Sequence, residues 1–144
     1  MTEHPTQYSN TDFVLKSASP IGLFANELRD TCCVLYCTEG DDGNWHMTVE
    51  ADHDENTCDR EAALDIPAML NAIANLSADA KLQFDACFFR DFNIGIECWD
   101  SWSYNHAIPH DVLRAISDAG CSLSFTLYPM RRPDGTPRTS QDGE

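Results

Sequence analysis

Residues 121–129, CSLSFTLYP, alternate without a break: Cys121, Leu123, Phe125 and Leu127 fall on one side, Ser122, Ser124, Thr126 and Tyr128 on the other. A period of two is a strand with one face for a core and one for a different environment. Such a strand cannot stand alone, so the chain has to supply further strands beside it and an apolar layer against it. Residues 109–120 offer one piece of that layer. Pro109-His110-Asp111 opens a helix, Val112, Leu113 and Ile116 face inward, and Gly120 stands where a helix C-terminus favours glycine.

The rest of the chain repeats the pattern. Residues 11–17 alternate Phe13 and Leu15 with Asp12, Val14 and Lys16 and read as a first strand, and Ile21, Phe24 and Leu28 after Ser19-Pro20 have helical spacing. Residues 31–39 form an apolar run and read as a buried strand, Asp41-Asp42-Gly43-Asn44 is turn chemistry, and residues 44–51 alternate Trp45, Met47 and Val49 with His46, Thr48 and Glu50, which predicts a hairpin. After a polar loop at 52–63, Asp65-Ile66-Pro67 reads as a helix start. Ile66, Met69, Leu70, Ile73 and Leu76 form its stripe. Residues 81–89 are strand-like through Leu82, Phe84, Ala86 and Phe88, and Asp91-Phe92-Asn93 is expected to turn them into a second hairpin with 93–99. Strand pairs punctuated by helices predict a single α+β domain over residues 11–130: an antiparallel or mixed sheet of about six strands with two to three helices packed on it. It is expected to lie between a flexible arm at 1–10 and a flexible Pro/Gly-rich tail at 131–144.

Charge narrows the function. With 24 Asp+Glu against 9 Lys+Arg the net charge is −15, so direct binding to nucleic acid or to an anionic membrane is disfavoured. Apolar runs fall short of the ~20 residues a bilayer span needs, and the N-terminus has no basic region followed by an apolar stretch. An odd seven cysteines without framework spacing point to reduced thiols and a cytoplasmic protein. The acids are concentrated: Glu39, Asp41, Asp42, Glu50, Asp52, Asp54, Glu55, Asp59, Glu61 and Asp65 face a single base, Arg60, between 39 and 65.

Signatures of chemistry are sparse. No C-x-x-C pair exists for a zinc knuckle, and Cys98 and Cys121 fall on apolar strand faces, where a thiol packs as a small hydrophobe. Cys58 is the one cysteine in a polar loop, though its acidic neighbours oppose thiolate formation. Asp52-His53-Asp54-Glu55-Asn56 begins like a calcium loop, but Thr57 replaces the turn glycine and Ala63 the bidentate glutamate, which leaves a solvated acidic loop or a loose cation site. His106 and His110 do not share a helical face, and Glu97 with Asp100 are read as solvent-face carboxylates. There is no nucleophile elbow, phosphate loop or His-Glu-x-x-His, so no catalytic residue, metal or cofactor is assigned.

What remains is residues 97–106, ECWDSWSYNH, where Trp99, Trp102 and Tyr104 are interleaved with Asp100 and small polar residues. Amphipathic aromatics among acids have the composition of a protein-binding surface, although at least one of the two tryptophans is expected to pack in the core. Taken with the acids, the candidate partner-binding residues are Asp41, Asp42, Asp52, Asp54, Glu55, Trp99, Asp100, Trp102 and Tyr104.

Residues 89–129 contain an N-I-G-I-E strand, a loop, a helix ending Ala-Gly and a strand ending Leu-Tyr-Pro. This stretch resembles the C-terminal part of small acidic bacterial immunity proteins of polymorphic-toxin and type VI secretion systems. The resemblance implies a non-catalytic cytoplasmic protein that binds a cognate toxin with a basic surface and occludes its active site. On that reading the acids speed encounter and the aromatics give residence time. Two alternatives stand beside it: an acidic DNA mimic that blocks a nuclease or CRISPR effector, and a small metal-dependent enzyme or sensor built on the 52–59 loop with His53 and Cys58.

Overall fold

Phe13 and Phe92, from strands that are distant in sequence, stack at 4.1 Å with their rings nearly parallel, and both are fully buried. The computed structural model, which describes residues 4–52 and 60–138, builds five strands and four helices around that contact. In chain order they are β1 (Gln7–Ser17), α1 (Gly22–Leu28), β2 (Cys32–Glu39), β3 (Trp45–Ala51), α2 (Ala62–Ala74), α3 (Ala78–Ala86), β4 (Phe89–Cys98), α4 (His110–Asp118) and β5 (Ser122–Pro129). The sheet order is β2-β3-β1-β4-β5. All neighbours run antiparallel except β4 and β5, which are parallel and joined through α4. The protein is a single α+β domain on a mixed sheet.

Alternation in the strands decides which face is covered. Phe13 and Leu15 of β1, Met47 and Val49 of β3, and Phe92, Ile94 and Ile96 of β4 share one core with Phe24 and Leu28 of α1. Ile66, Met69 and Ile73 of α2, Phe84 of α3, and Val112 and Ile116 of α4 complete it. The opposite sheet face carries the other set: Asn10, Asp12, Glu50, Asp91, Asn93, Ser124 and Thr126. The β2–β3 hairpin forms as expected, with Gly43 at φ +82° and the Gly40 N–H bonded to the Asn44 carbonyl at 2.8 Å. Gly120, at φ +72°, closes α4 in a Schellman arrangement: its N–H reaches the Ser117 carbonyl and the Cys121 N–H the Ile116 carbonyl.

Four expectations are corrected. Residues 31–39 are not a buried strand: β2 lies at an edge of the sheet, and Leu35 and Tyr36 are about half exposed. Residues 81–89 are not a strand; most belong to α3. The Ser77 hydroxyl caps the Ala80 N–H, Glu27 in turn accepts from Ser77, and Ala80, Phe84 and Cys87 supply the buried stripe at helical spacing. Leu82 and Phe88, expected on the core side, are exposed, and so is Leu113 of α4, expected to face inward. Asp91-Phe92-Asn93 is not a turn, because β4 runs through it, so the sheet has five strands instead of six and the helices number four. Finally, α2 starts at Ala62 rather than at Asp65, which lies inside the helix, buried, and accepts a hydrogen bond from the Tyr8 hydroxyl. Ordered structure also reaches into the expected arm and tail: β1 begins at Gln7, and Arg131 bridges Pro137 in a small antiparallel turn.

Removing half of the central stack should be felt by the whole sheet. Phe92→Ala is expected to cost about 3–5 kcal/mol in urea unfolding. Leu82→Ala, at a site 66% exposed, is expected to cost less than about 1 kcal/mol.

Candidate protein-binding surface

The topology separates residues that composition grouped together. Ser17 at the end of β1 pairs with Trp45, so the β2–β3 turn holding Asp41 and Asp42 lies at that end of the sheet. Gln7 at the start of β1 pairs with Glu97, so the segment with Trp99, Asp100, Trp102 and Tyr104 leaves the other end. The 11 residues of β1, at about 3.3 Å each, put the two groups roughly 30 Å apart. Asp52, exposed, follows β3 toward the aromatic end, while Asp54 and Glu55, with His53 and Cys58, lie outside the described residues.

At the hairpin end the acids are partly used up locally. Asp42 accepts from the Asn44 N–H at 2.9 Å and meets the His46 ring at 3.1 Å, which holds its carboxyl down at about 2. Asp41 and Glu39 stay exposed. The turn is an acidic knuckle with no apolar side chain at its tip.

At the other end, loop residues 99–109 are fastened at both sides. The Arg131 guanidinium grips Asp100 with two bonds of 2.7 Å, and the His4 N–H adds a third at 2.8 Å. These bonds hold the Asp100 carboxyl well below the usual carboxylate range, the guanidinium contributing most. Trp99 is half-buried; its N–H donates to the Thr6 hydroxyl at 2.9 Å, with the His4 ring at 4.6 Å and Arg131 at 5.5 Å from its own ring. The Ser101 hydroxyl accepts from the Thr6 N–H at 2.8 Å. At the far side, His106 Nε2 accepts from the Ala62 N–H at the start of α2, and its ring stacks on Tyr8 at 4.9 Å. Nδ1 therefore carries the proton and donates to the Tyr104 hydroxyl at 3.1 Å. Burial pushes the His106 pKa down, in favour of the neutral ring. Tyr8 in turn donates to Asp65, and burial followed by that carboxylate drives its own pKa up.

Between these fastenings stands Trp102, at 101% exposure, with Ser103 and Asn105 exposed beside it. Next to the loop lies a groove of about 550 Å³ lined by Thr6 to Ser9, Arg60, Glu61, Glu97, Tyr104 and His106. Of the sequence-selected residues, Trp99 and Asp100 are thus committed to building the loop, and Trp102 and Tyr104 are presented by it. Arg131 and His4, which fix Asp100 from 31 and 96 residues away, carry no local sequence signal for that role. Tyr8, which helps to shape the groove, also escaped notice, and Glu61 figured only among the acids of 39–65.

The open sheet face is a weaker candidate because its polar groups satisfy each other. Ser122 and Ser124 donate to Asp91 at 2.7 and 2.5 Å, Thr126 donates to Asn93 at 2.9 Å, and the Asn10 amide bridges Asp12 and Glu50 at 2.9 and 2.6 Å. Among the described residues no three His, Cys, Asp or Glu side chains are placed to hold a metal ion, and no described helix is long and apolar enough to cross a membrane. Comparison with protein-family models, curated proteins and solved structures finds no match to this chain.

Two measurements follow from this geometry. Burial and then the neighbouring Glu50 carboxyl push Asp12 up to about 6. The folded state therefore binds a proton that the unfolded chain releases, and stability falls as pH rises from 3.8 to about 6. Asp12→Asn should raise the urea midpoint at pH 7 and leave it near wild type at pH 4. Arg131→Gln should speed amide exchange at Trp99 and Asp100, whose N–H groups bond to Thr6 and His4, while residues 92–96 in β4 keep their protection.

Proposed function

We propose that this chain is an inhibitory binding protein of the immunity class: it neutralises a cognate bacterial toxin of the polymorphic-toxin or type VI secretion kind by filling a basic active-site cleft. The observation that carries this reading is Trp102, fully exposed on a loop fastened at both ends. Leaving a large aromatic in water forgoes burial worth about 2 kcal/mol. An aromatic presented on a loop fastened at both ends has little backbone freedom left to lose on docking, which favours an interface anchor. Glu61 and Glu97 in the adjoining groove suit a cationic partner surface. The net charge of −15 supplies long-range attraction to such a surface. A toxin that cleaves or modifies nucleic acid needs a basic cleft for phosphates and fits this description. Reduced, unpaired cysteines, buried Cys32 and Cys87 among them, suit a reducing cytoplasm. The role needs no catalytic group, metal or cofactor.

The division of labour differs from the one composition suggested. The knuckle with Asp41 lies several Debye lengths from Trp102 at physiological salt, where that length is about 8 Å. Its contribution to encounter is accordingly small, and the acids at the aromatic end do the steering.

The test is capture with tagged protein from cells of its source organism, washed at low and then high salt, with mass spectrometry of what is retained. One stoichiometric basic protein should survive high salt with the wild type and bind at least about tenfold more weakly to Trp102→Ala. With that partner purified, Glu61→Gln with Glu97→Gln should slow association and flatten its salt dependence. Glu39→Gln with Asp41→Asn should leave the rate unchanged at physiological ionic strength. Retention indifferent to Trp102→Ala, or a crowd of basic proteins that wash off together, would contradict the proposal.

A further inference from the structure

We infer that His106 is a proton-operated latch: the neutral ring fastens loop residues 101–107 to the start of α2, and the protonated ring lets that side of the loop go. The latch belongs to the free chain, whatever the chain binds. Its action follows from the atom that does the fastening. The Ala62 N–H donates to His106 Nε2 at 3.2 Å, and a ring nitrogen accepts only while it carries no proton. The other nitrogen, Nδ1, already carries one and meets the Tyr104 hydroxyl at 3.1 Å. A second proton has only Nε2 to go to. There it sets donor against donor and places a cation at the positive end of the 13-residue α2.

The groups around the ring support this direction. Tyr8 of β1 lies flat against it, 4.9 Å away at 3°, with its hydroxyl spent on Thr11 and Asp65. Burial raises the pKa of both Tyr8 and Tyr104, so neither phenol ionises to stabilise the cation. Arg60 and Glu61 before α2 and Glu97 of β4 line the same groove. Glu61 favours the cation, but burial outweighs it and draws the His106 pKa below its usual 6.5. The fastened loop therefore takes up a proton less readily than a released one, and acid drives release below pH 6.5. The near side does not respond to the same signal. Arg131 and Asp100 hold each other charged, and a proton on the His4 ring adds to the attraction for Asp100. Ile108, packed against the core, bounds the movement toward α4. Acid thus frees one side of the loop and leaves Trp99 and Asp100 in place. Trp102 then loses the fixed backbone that presents it. On the inhibitor reading, on which this consequence alone rests, partner retention weakens in acid.

An NMR titration of the full chain without any partner tests the latch, and leaves the inhibitor reading to be judged separately. The His106 ring should titrate below pH 6.5. Across that titration, amide exchange at Ala62, corrected for its intrinsic pH dependence, should quicken at least about tenfold. Backbone order parameters of residues 103–107 should fall below about 0.6 while those of Trp99 and Asp100 hold. His106→Phe keeps a ring against Tyr8 but offers no acceptor. It should show the fast Ala62 exchange and the loose loop already at neutral pH, with no further step in acid. Asp12→Asn removes a carboxyl that titrates in the same range and should leave the step unchanged. The wild-type titration decides alone if His106→Phe does not fold. A ring that titrates at or above pH 6.5, or that takes up its proton while Ala62 and the loop stay as they were, would overturn the inference. So would an acid step that survives in His106→Phe.

Discussion

The stack of Phe13 on Phe92 ties the centre of the sheet together, and much of the fold follows from where it sits. It joins β1 to β4 across 79 positions of chain, a closure whose entropy has to be offset by burial. With one ring plane committed to the helix side, alternation sends Asp12, Asp91 and Asn93 to the other side, where no apolar layer can form. The four helices therefore crowd one face. The opposite face becomes a hydroxyl–carboxylate net.

That arrangement explains why the acidic character of the chain does not translate into one acidic patch. Acids close in sequence are parted by the hairpin: Asp41 and Asp42 stay at its turn, while Glu50 and Asp52 travel with β3 toward the opposite end. Several carboxylates are also consumed as structure. Asp65 receives Tyr8, Asp91 receives two serine hydroxyls, and Asp100 holds Arg131. On the proposed reading, the net charge repels phosphate and attracts cationic protein, while shape and aromatic presentation choose the contact, and Trp102 is where both coincide.

Much of this was legible in the residues. The hairpin through Gly43, the glycine stop at Gly120 and the alternation of β5 were all readable, because turns, caps and period-two patterns are local. The misreadings share one cause, the weight of distant partners. Leu82, Phe84, Ala86 and Phe88 alternate, yet Ala80, Phe84 and Cys87 fit a helix equally well. The cap at Ser77, backed by Glu27 from 50 residues away, decided between them. Asp91 and Asn93 look like turn residues until the hydroxyls of β5 donate to them across a strand pair. Asp100 and Trp99 were recognisable as a dense polar–aromatic segment. Their confinement by His4, Thr6 and Arg131 was not, since those contacts exist only after β1 and β4 have paired.

Hydrogen exchange of the chain, alone and with its captured basic partner, tests the proposed contact most directly. If the fastened loop is the anchor, new protection on binding should centre on residues 99–106 and extend to 60–62 along the groove. Protection confined to the 39–45 turn, or spread over the open sheet face, would contradict it.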